Sequence, residues 1–186
     1  MIENMFADRL LGGERILWSG RPGQGIIFTS QDVFLIPFSL LWFGFTVFWT
    51  VTAASNRAPG FFMLWGLMFV TVGLYLVFGR FLFDAWVRRG MGYAVTNRRI
   101  LILRSGPFSR FTVVSLEGMP NLDLRETARG RGTIRFGLSA SLFSNRNMSS
   151  WSPALDPTPQ FIAIDNVRQV FDLVQKAGKS AATSAF

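Results

Sequence analysis

Side chains that usually perform acid–base or metal chemistry are few in this chain and widely spaced. Its 186 residues include no histidine and no cysteine, which removes the commonest general base, the commonest metal ligand and any thiolate nucleophile. Carboxylates such as Glu117, Asp123, Glu126 and Asp156 form no close sequence motif. We therefore predict no catalytic residue, no metal site and no cofactor, which is typical of a protein that is not an enzyme.

The arginines are the most distinctive charged residues, because they make up nearly all of the positive residues in a chain of net charge +8. Arg98 and Arg99 lie in one predicted turn, and Arg129 and Arg131 lie at the tip of a predicted β-hairpin. Guanidinium groups match the geometry of phosphate oxygens, so these four are candidate contacts for anionic lipid headgroups. The alternative is that they are ordinary solvated turn residues. Nucleic-acid binding is not predicted, since arginines beside a membrane segment serve orientation and lipid contact.

A second charged pattern is the spacing of Arg80, Asp84 and Arg88, which are four residues apart and so share one helix face. We predict a juxtamembrane ladder of ion pairs, with Arg80 reaching to the membrane interface. An ion path is the alternative use of charge near a membrane. One acidic residue is too few for a proton relay, so the ladder is the favoured interpretation.

Two uncharged apolar runs, 33–55 and 61–79, predict a transmembrane helical hairpin within 31–89, with helices over about 33–55 and 61–83. Gly44, Gly66 and Gly73 could let the two helices approach closely, or could simply face lipid. Arginines are more numerous on the flanks than in the connecting loop, which holds only Arg57. By the positive-inside rule, we expect a multi-pass protein of the inner membrane with both termini cytoplasmic.

The polar segments around the hairpin predict an α+β cytoplasmic domain. Residues 1–30 hold a short helical segment, which packs on the domain or lies on the membrane surface, and one strand near Ile16–Trp18. Residues 90–178 show short alternating runs typical of strands, then an amphipathic helix ending at Gly178. Residues 179–186 are predicted to be a flexible tail.

Two segments on either side of the hairpin are similar to a known family. Gly13–Pro22 (GERILWSGRP) and Tyr93–Ile102 (YAVTNRRILI) together resemble the bacterial pleckstrin-homology-like (PH-like) membrane proteins. The resemblance implies a bent antiparallel β-barrel capped by a C-terminal helix. One strand of this barrel comes from residues 1–30. It also implies no assigned catalytic activity. The turn comparable to the phosphoinositide-binding turn of eukaryotic relatives, Asn97–Arg99, has no lysine, so specific phosphoinositide recognition is not expected.

Three functions remain for a protein of this kind. The first is a membrane-anchored scaffold or interaction module that binds a protein partner, or a second copy of itself, at the cytoplasmic face. The second is binding of anionic lipid headgroups by the basic turns. The third is a small channel or transport subunit, which the absence of a polar stripe on either apolar helix disfavours.

Overall fold

The computed structural model describes residues 3–29, 31–106, 108–117, 121–127, 130–137 and 152–184. The chain forms two compact units. The hairpin unit is Ile26–Phe83, and the sheet unit combines Met1–Gly25 with Asp84–Phe186. The hairpin unit therefore begins earlier and ends earlier than the predicted segment 31–89.

Two long apolar helices form the hairpin, as predicted. Helix α1 spans Asp32–Ser55 and contains Pro37 in its second turn. Helix α2 spans Gly60–Leu74, and a π-helical turn over Tyr75–Gly79 joins it to α3, Arg80–Arg89. Both helical stretches are long and apolar enough to cross a membrane, and only 11% of each apolar window is buried. A core helix of a water-soluble protein would instead bury most of its apolar side chains.

Small residues set the distance between α1 and α2. A Cβ atom added to Gly66 would lie 2.5 Å from the Thr50 hydroxyl, and one added to Gly73 would lie 2.9 Å from the ring of Phe43. Nothing lies within 4 Å of the same position on Gly44. Close packing is therefore confirmed for Gly66 and Gly73 and wrong for Gly44.

Replacing Gly73 by alanine is expected to destabilise the hairpin by about 1–3 kcal/mol, because the new methyl group meets Phe43 side-chain and main-chain atoms. Gly44→Ala is the matched control, and it should be neutral or stabilising by up to about 1 kcal/mol since the site is open and helical. Thermal unfolding of the two variants in detergent measures the difference. Equal effects at both positions would contradict the assigned interface.

Sheet A has four antiparallel strands in the order β1-β2-β3-β4. They are β1 Ile16–Gly20, β2 Met91–Thr96, β3 Arg99–Arg104 and β4 Arg110–Ser115. The strands predicted on both sides of the Asn97 turn are thus confirmed. Strand β1 pairs with β2, from Ile16 opposite Thr96 to Gly20 opposite Tyr93, so the whole hairpin unit is inserted between two neighbouring strands.

Sheet B has three antiparallel strands, β5 Leu122–Thr127, β6 Arg131–Phe136 and β7 Gln160–Ile164, in that order. Helix α4, Val167–Ser184, follows β7 and buries Val167, Val170 and Val174. It can approach β6 closely because Gly132 has no side chain; a Cβ there would lie 2.8 Å from Val167.

The predicted end of the last helix is wrong. Helix α4 continues through Gly178 to Ser184, where residues 179–186 were expected to be a flexible tail. One glycine costs a helix only about 1 kcal/mol. Ala177 and Ala181, four residues apart, are both buried, and the burial of this small-residue face offsets that cost.

Aromatic residues from both sheets form the centre of the sheet unit. Phe161 of β7 contacts Tyr93 of β2 and Phe136 of β6, with ring centroids 4.7 and 4.8 Å apart, and Trp18 of β1 at 5.5 Å. The two sheets share no backbone ladder among the described residues. The structure therefore shows two antiparallel sheets and a C-terminal helix, and a closed barrel is not shown.

The N-terminal segment packs on the outer face of sheet A, which decides between the two placements left open above. It forms two short 3₁₀ turns, Glu3–Met5 and Ala7–Arg9, in place of the predicted longer helix. Between them Phe6 is completely buried in a cluster with Ala94, Leu101 and Leu103. The apolar residues of this segment thus pack in the sheet unit and contribute to its fold.

Candidate functional site

The residues that carry the family resemblance meet in one buried network. Glu14 lies before β1, and its side chain is fully buried against the β2–β3 turn. Arg99 Nε donates to Glu14 Oε1 and Arg99 Nη2 to Oε2, both at 2.9 Å. The Thr96 hydroxyl donates to Oε1 at 2.8 Å, and the Leu11 amide donates to Oε2 at 2.8 Å.

Backbone contacts extend this network along the turn. The Thr96 hydroxyl accepts hydrogen bonds from the Arg98 and Arg99 amides at 3.2 and 3.0 Å. The Arg15 amide donates to Asn97 Oδ1 at 3.0 Å, and the Asn97 amide donates to the Arg15 carbonyl at 3.1 Å. The motif Thr-Asn-Arg-Arg therefore joins the N-terminal segment to sheet A, a role that depends on pairing across about 80 residues and is invisible to local spacing.

The charge of Glu14 is stabilised in the folded chain. Burial by itself raises the pKa of this carboxyl, but the hydrogen bonds from Arg99, the Leu11 amide and Thr96 outweigh burial and bring the pKa to about 2, from 4.5. The same contact raises the pKa of Arg99. Both groups are therefore charged at neutral pH.

This network predicts a specific loss of stability in acid. Since the folded-state pKa of Glu14 lies below its unfolded value, its contribution is complete above about pH 4.5 and is lost as pH falls towards 2. The difference corresponds to about 3 kcal/mol. Urea unfolding between pH 6 and pH 3 should show a steeper loss for the natural chain than for Glu14→Gln. Parallel curves for the two chains would contradict the assignment.

The four predicted anion-binding arginines do not form one open site. Arg98 is exposed, but Arg99 is paired with Glu14. Arg131 pairs with Asp165 at 2.7 Å on the surface of sheet B. Arg129 lies outside the described residues. Two of the three described arginines thus already have carboxylate partners.

The predicted ladder of Arg80, Asp84 and Arg88 is correct in one half. Arg88 is 1% exposed, and its Nε donates to Asp84 Oδ2 at 2.7 Å. Arg80 is paired with a different carboxylate, Asp32 at the start of α1, at 2.7 Å. Helical spacing could not foresee this partner, because Asp32 is distant in sequence and is brought close only by the hairpin.

Arg80 is also buried, although its side chain was predicted to reach to the membrane interface. It is 5% exposed, and its guanidinium lies over the Phe81 ring at 4.4 Å. Its Nε and Nη2 have no hydrogen-bond partner among the described residues. An ion pair satisfied only in part stabilises less than a complete one.

The Arg88–Asp84 pair, in contrast, is fully bonded and holds three chain segments of the sheet unit together. The Arg88 guanidinium donates to the carbonyl oxygens of Gly23 and Gly25, where the chain leaves β1. Asp84 Oδ1 accepts from the Ser152 hydroxyl at 2.8 Å and the Ala154 amide at 3.0 Å. This junction fixes both the segment that enters the hairpin and the segment that leaves it.

A groove in the sheet unit was not foreseen from the sequence. It lies between β1 and the start of α4 and has a volume of about 360 Å³. Trp18, Gly20 and Arg21 line one side, and Gln169 and Leu173 line the other. Sheet A ends at β1, which pairs only with β2 among the described strands. No sequence signal could locate the groove, because it depends on how α4 lies across the unit.

The groove has few charged lining residues. Its charged lining residues are Arg21 and Asp165, and Asp165 is already paired with Arg131. Arg21 is exposed and has no carboxylate partner among the described residues. Across the same residues, no group of three or more acidic side chains could hold a metal ion.

In comparisons with known proteins, no protein family, curated protein or solved structure matched the chain.

Proposed function

We propose that the chain is a membrane-anchored interaction module with a PH-like sheet unit that binds an extended segment of a protein partner. The two apolar helices span the inner membrane, and both termini face the cytoplasm. The sheet unit is a bent β-barrel whose open side is capped by α4. The module has no catalytic activity of its own, and its role is to hold a partner at the membrane.

Membrane insertion is supported by the exposed surface of the hairpin unit. Large apolar side chains on α1 and α2 are exposed along both helices, among them Leu41, Phe48, Phe61 and Leu64, each at more than 60%. Patches of this extent are rare on the surface of soluble monomers. In contact with lipid tails, such a surface has no free-energy penalty from apolar groups exposed to water.

The groove beside β1 is the observation that carries the binding proposal. An edge strand presents unpaired backbone donors and acceptors. An extended peptide can bind to them and add a further strand to the sheet. The adjacent wall of α4 offers the half-buried Leu173 to an apolar side chain. Arg21, exposed and without a carboxylate partner among the described residues, favours an acidic residue in the bound segment.

Site-specific crosslinking in intact membranes tests the proposal. A photoreactive amino acid replaces Gln169, which lines the groove, or Asp172, which is exposed on the same helix outside it. We expect a discrete crosslinked product from position 169 only, and its loss when Arg21 is changed to Glu. A product with the mass of two chains would identify a second copy as the partner. No product, or equal products from both positions, would contradict the groove.

The other two functions have less support. Headgroup binding through Arg98, Arg99, Arg129 and Arg131 is disfavoured because Arg99 and Arg131 are paired with Glu14 and Asp165. A channel would need polar groups facing a pore. On α1 the buried hydroxyls of Ser39 and Thr46 donate to backbone carbonyls of their own helix, so neither presents a free O–H to a pore.

A further inference from the structure

We propose a lipid-binding site on the β3–β4 turn of the sheet unit, in which Arg104 and Arg110 bind phosphates of anionic lipids and Phe108 inserts among the headgroups. This inference rests on the proposed membrane insertion of the hairpin. It concerns arginines other than the four predicted from the sequence.

The register of sheet A places this turn at the end from which the chain runs into the hairpin. Arg104 is paired with Met91, the first residue of β2, and with Arg110 of β4. Arg89, the last residue of α3, lies two positions before Met91. The turn with Arg98 and Arg99 lies at the opposite end of the same strands. The two basic turns therefore lie at opposite ends of sheet A, and the β3–β4 turn is the one beside the start of β2.

Charge at the β3–β4 turn is unbalanced. Arg104 and Arg110 are direct cross-strand partners, an arrangement in which like charges repel. The Arg104 guanidinium donates only to carbonyl oxygens, from Nε to Phe108 at 2.5 Å and from Nη1 to Ala154 at 2.8 Å. Burial, and then the charge of Arg110, lower the pKa of Arg104.

One carboxylate, Asp156, lines the same small cavity of about 30 Å³ as the two arginines, but its ion-pair partner is Arg135, at 3.9 Å. The side chain of Arg110 is exposed and has no hydrogen-bond or ion-pair partner among the described residues. The cavity holds little more than one water, so a phosphate would bind at its mouth, between the two guanidinium groups.

An exposed aromatic side chain points to lipid as the source of the phosphate. Phe108 is 45% exposed beside the two arginines. A soluble phosphate gains nothing from an exposed ring, whereas basic residues with an aromatic neighbour are typical of segments at the membrane surface. The structure thus combines a charge that attracts anionic headgroups with an apolar group that enters them.

The absence of cysteine in the chain permits a clean test. Full-length protein carrying Ser109→Cys is labelled with a fluorophore and reconstituted in nanodiscs containing lipid-borne quenchers. Phosphatidylcholine alone is compared with a mixture containing phosphatidylglycerol. We expect quenching only in the anionic nanodiscs. In the Arg104→Gln/Arg110→Gln variant the ratio of docked to undocked turn should fall roughly thirtyfold, and Phe108→Ser should reduce quenching.

Two control labels separate the possible failures. A label at Arg98→Cys, at the other end of sheet A, should remain unquenched in both lipids. A label at Leu64→Cys, on the exposed surface of α2, should be quenched in both; if it is not, membrane insertion and the lipid site are both wrong. Quenching at Leu64 without any at Ser109 overturns the lipid site alone. Loss of Ser109 quenching on addition of inorganic phosphate at constant ionic strength would assign the arginines to a soluble anion and also overturn it.

Discussion

Replacing Arg88 by methionine is expected to destabilise the sheet unit by about 3–5 kcal/mol, the cost of leaving a buried charge without its partner. Asp84 is 5% exposed and would keep only the Ser152 and Ala154 donors. The carbonyl oxygens of Gly23 and Gly25 would lose their donor as well. Urea unfolding in detergent, followed by circular dichroism of the strands, measures the loss.

Arg89→Met is the matched control for this experiment, because Arg89 is the next residue of α3 and is exposed. An exposed substitution of this kind should change stability by less than about 0.5 kcal/mol. The double variant Arg88→Met/Asp84→Leu should recover much of the loss, since it removes both charges together. Equal stability of Arg88→Met and Arg89→Met would show that the junction does not hold the fold.

Truncating Phe6 to alanine is expected to cost about 3–5 kcal/mol, the usual effect of removing a fully buried aromatic side chain. The ring covers Ala94, Leu101 and Leu103 on the outer face of sheet A, so its loss should also release the N-terminal turns. Amide hydrogen exchange should therefore rise in residues 3–11 and in the outer face of β2 and β3.

Leu11→Ala serves as the comparison, because Leu11 belongs to the same segment and is 52% exposed. Its removal should have little effect on stability or exchange. If Phe6→Ala behaves like Leu11→Ala, the N-terminal segment is not part of the sheet unit.

Elements that follow from local composition could be predicted from the sequence. The uncharged runs locate α1 and α2, short apolar runs locate β3 and β7, and alternation of apolar residues locates β5 and β6, because each pattern reports burial within a few residues. The continuation of α4 past Gly178 was missed, since the decisive term is the burial of Ala177 and Ala181, which depends on packing.

The candidate sites depend on contacts between distant segments, and sequence spacing predicts these poorly. Arg80 and Arg88 have the same spacing from Asp84, yet only Arg88 uses it, because α1 brings Asp32 to Arg80. Arg99 was expected to meet an anion and meets Glu14. No sequence pattern links Arg104 to Arg110, since five residues separate them and only the β3–β4 register makes them neighbours.

The insertion of the hairpin between β1 and β2 has a consequence for biogenesis. On the ribosome, β1 emerges first and finds no neighbouring strand until the entire apolar hairpin and Met91–Thr96 have been made. In the proposed membrane topology, delivery to the translocon therefore precedes closure of the sheet in the nascent chain. A cytosolic fragment that begins at Gly90 would lack both the first strand and Phe6, which covers the sheet. Joining residues 3–25 directly to the segment that begins at residue 84 is therefore the better route to a soluble form.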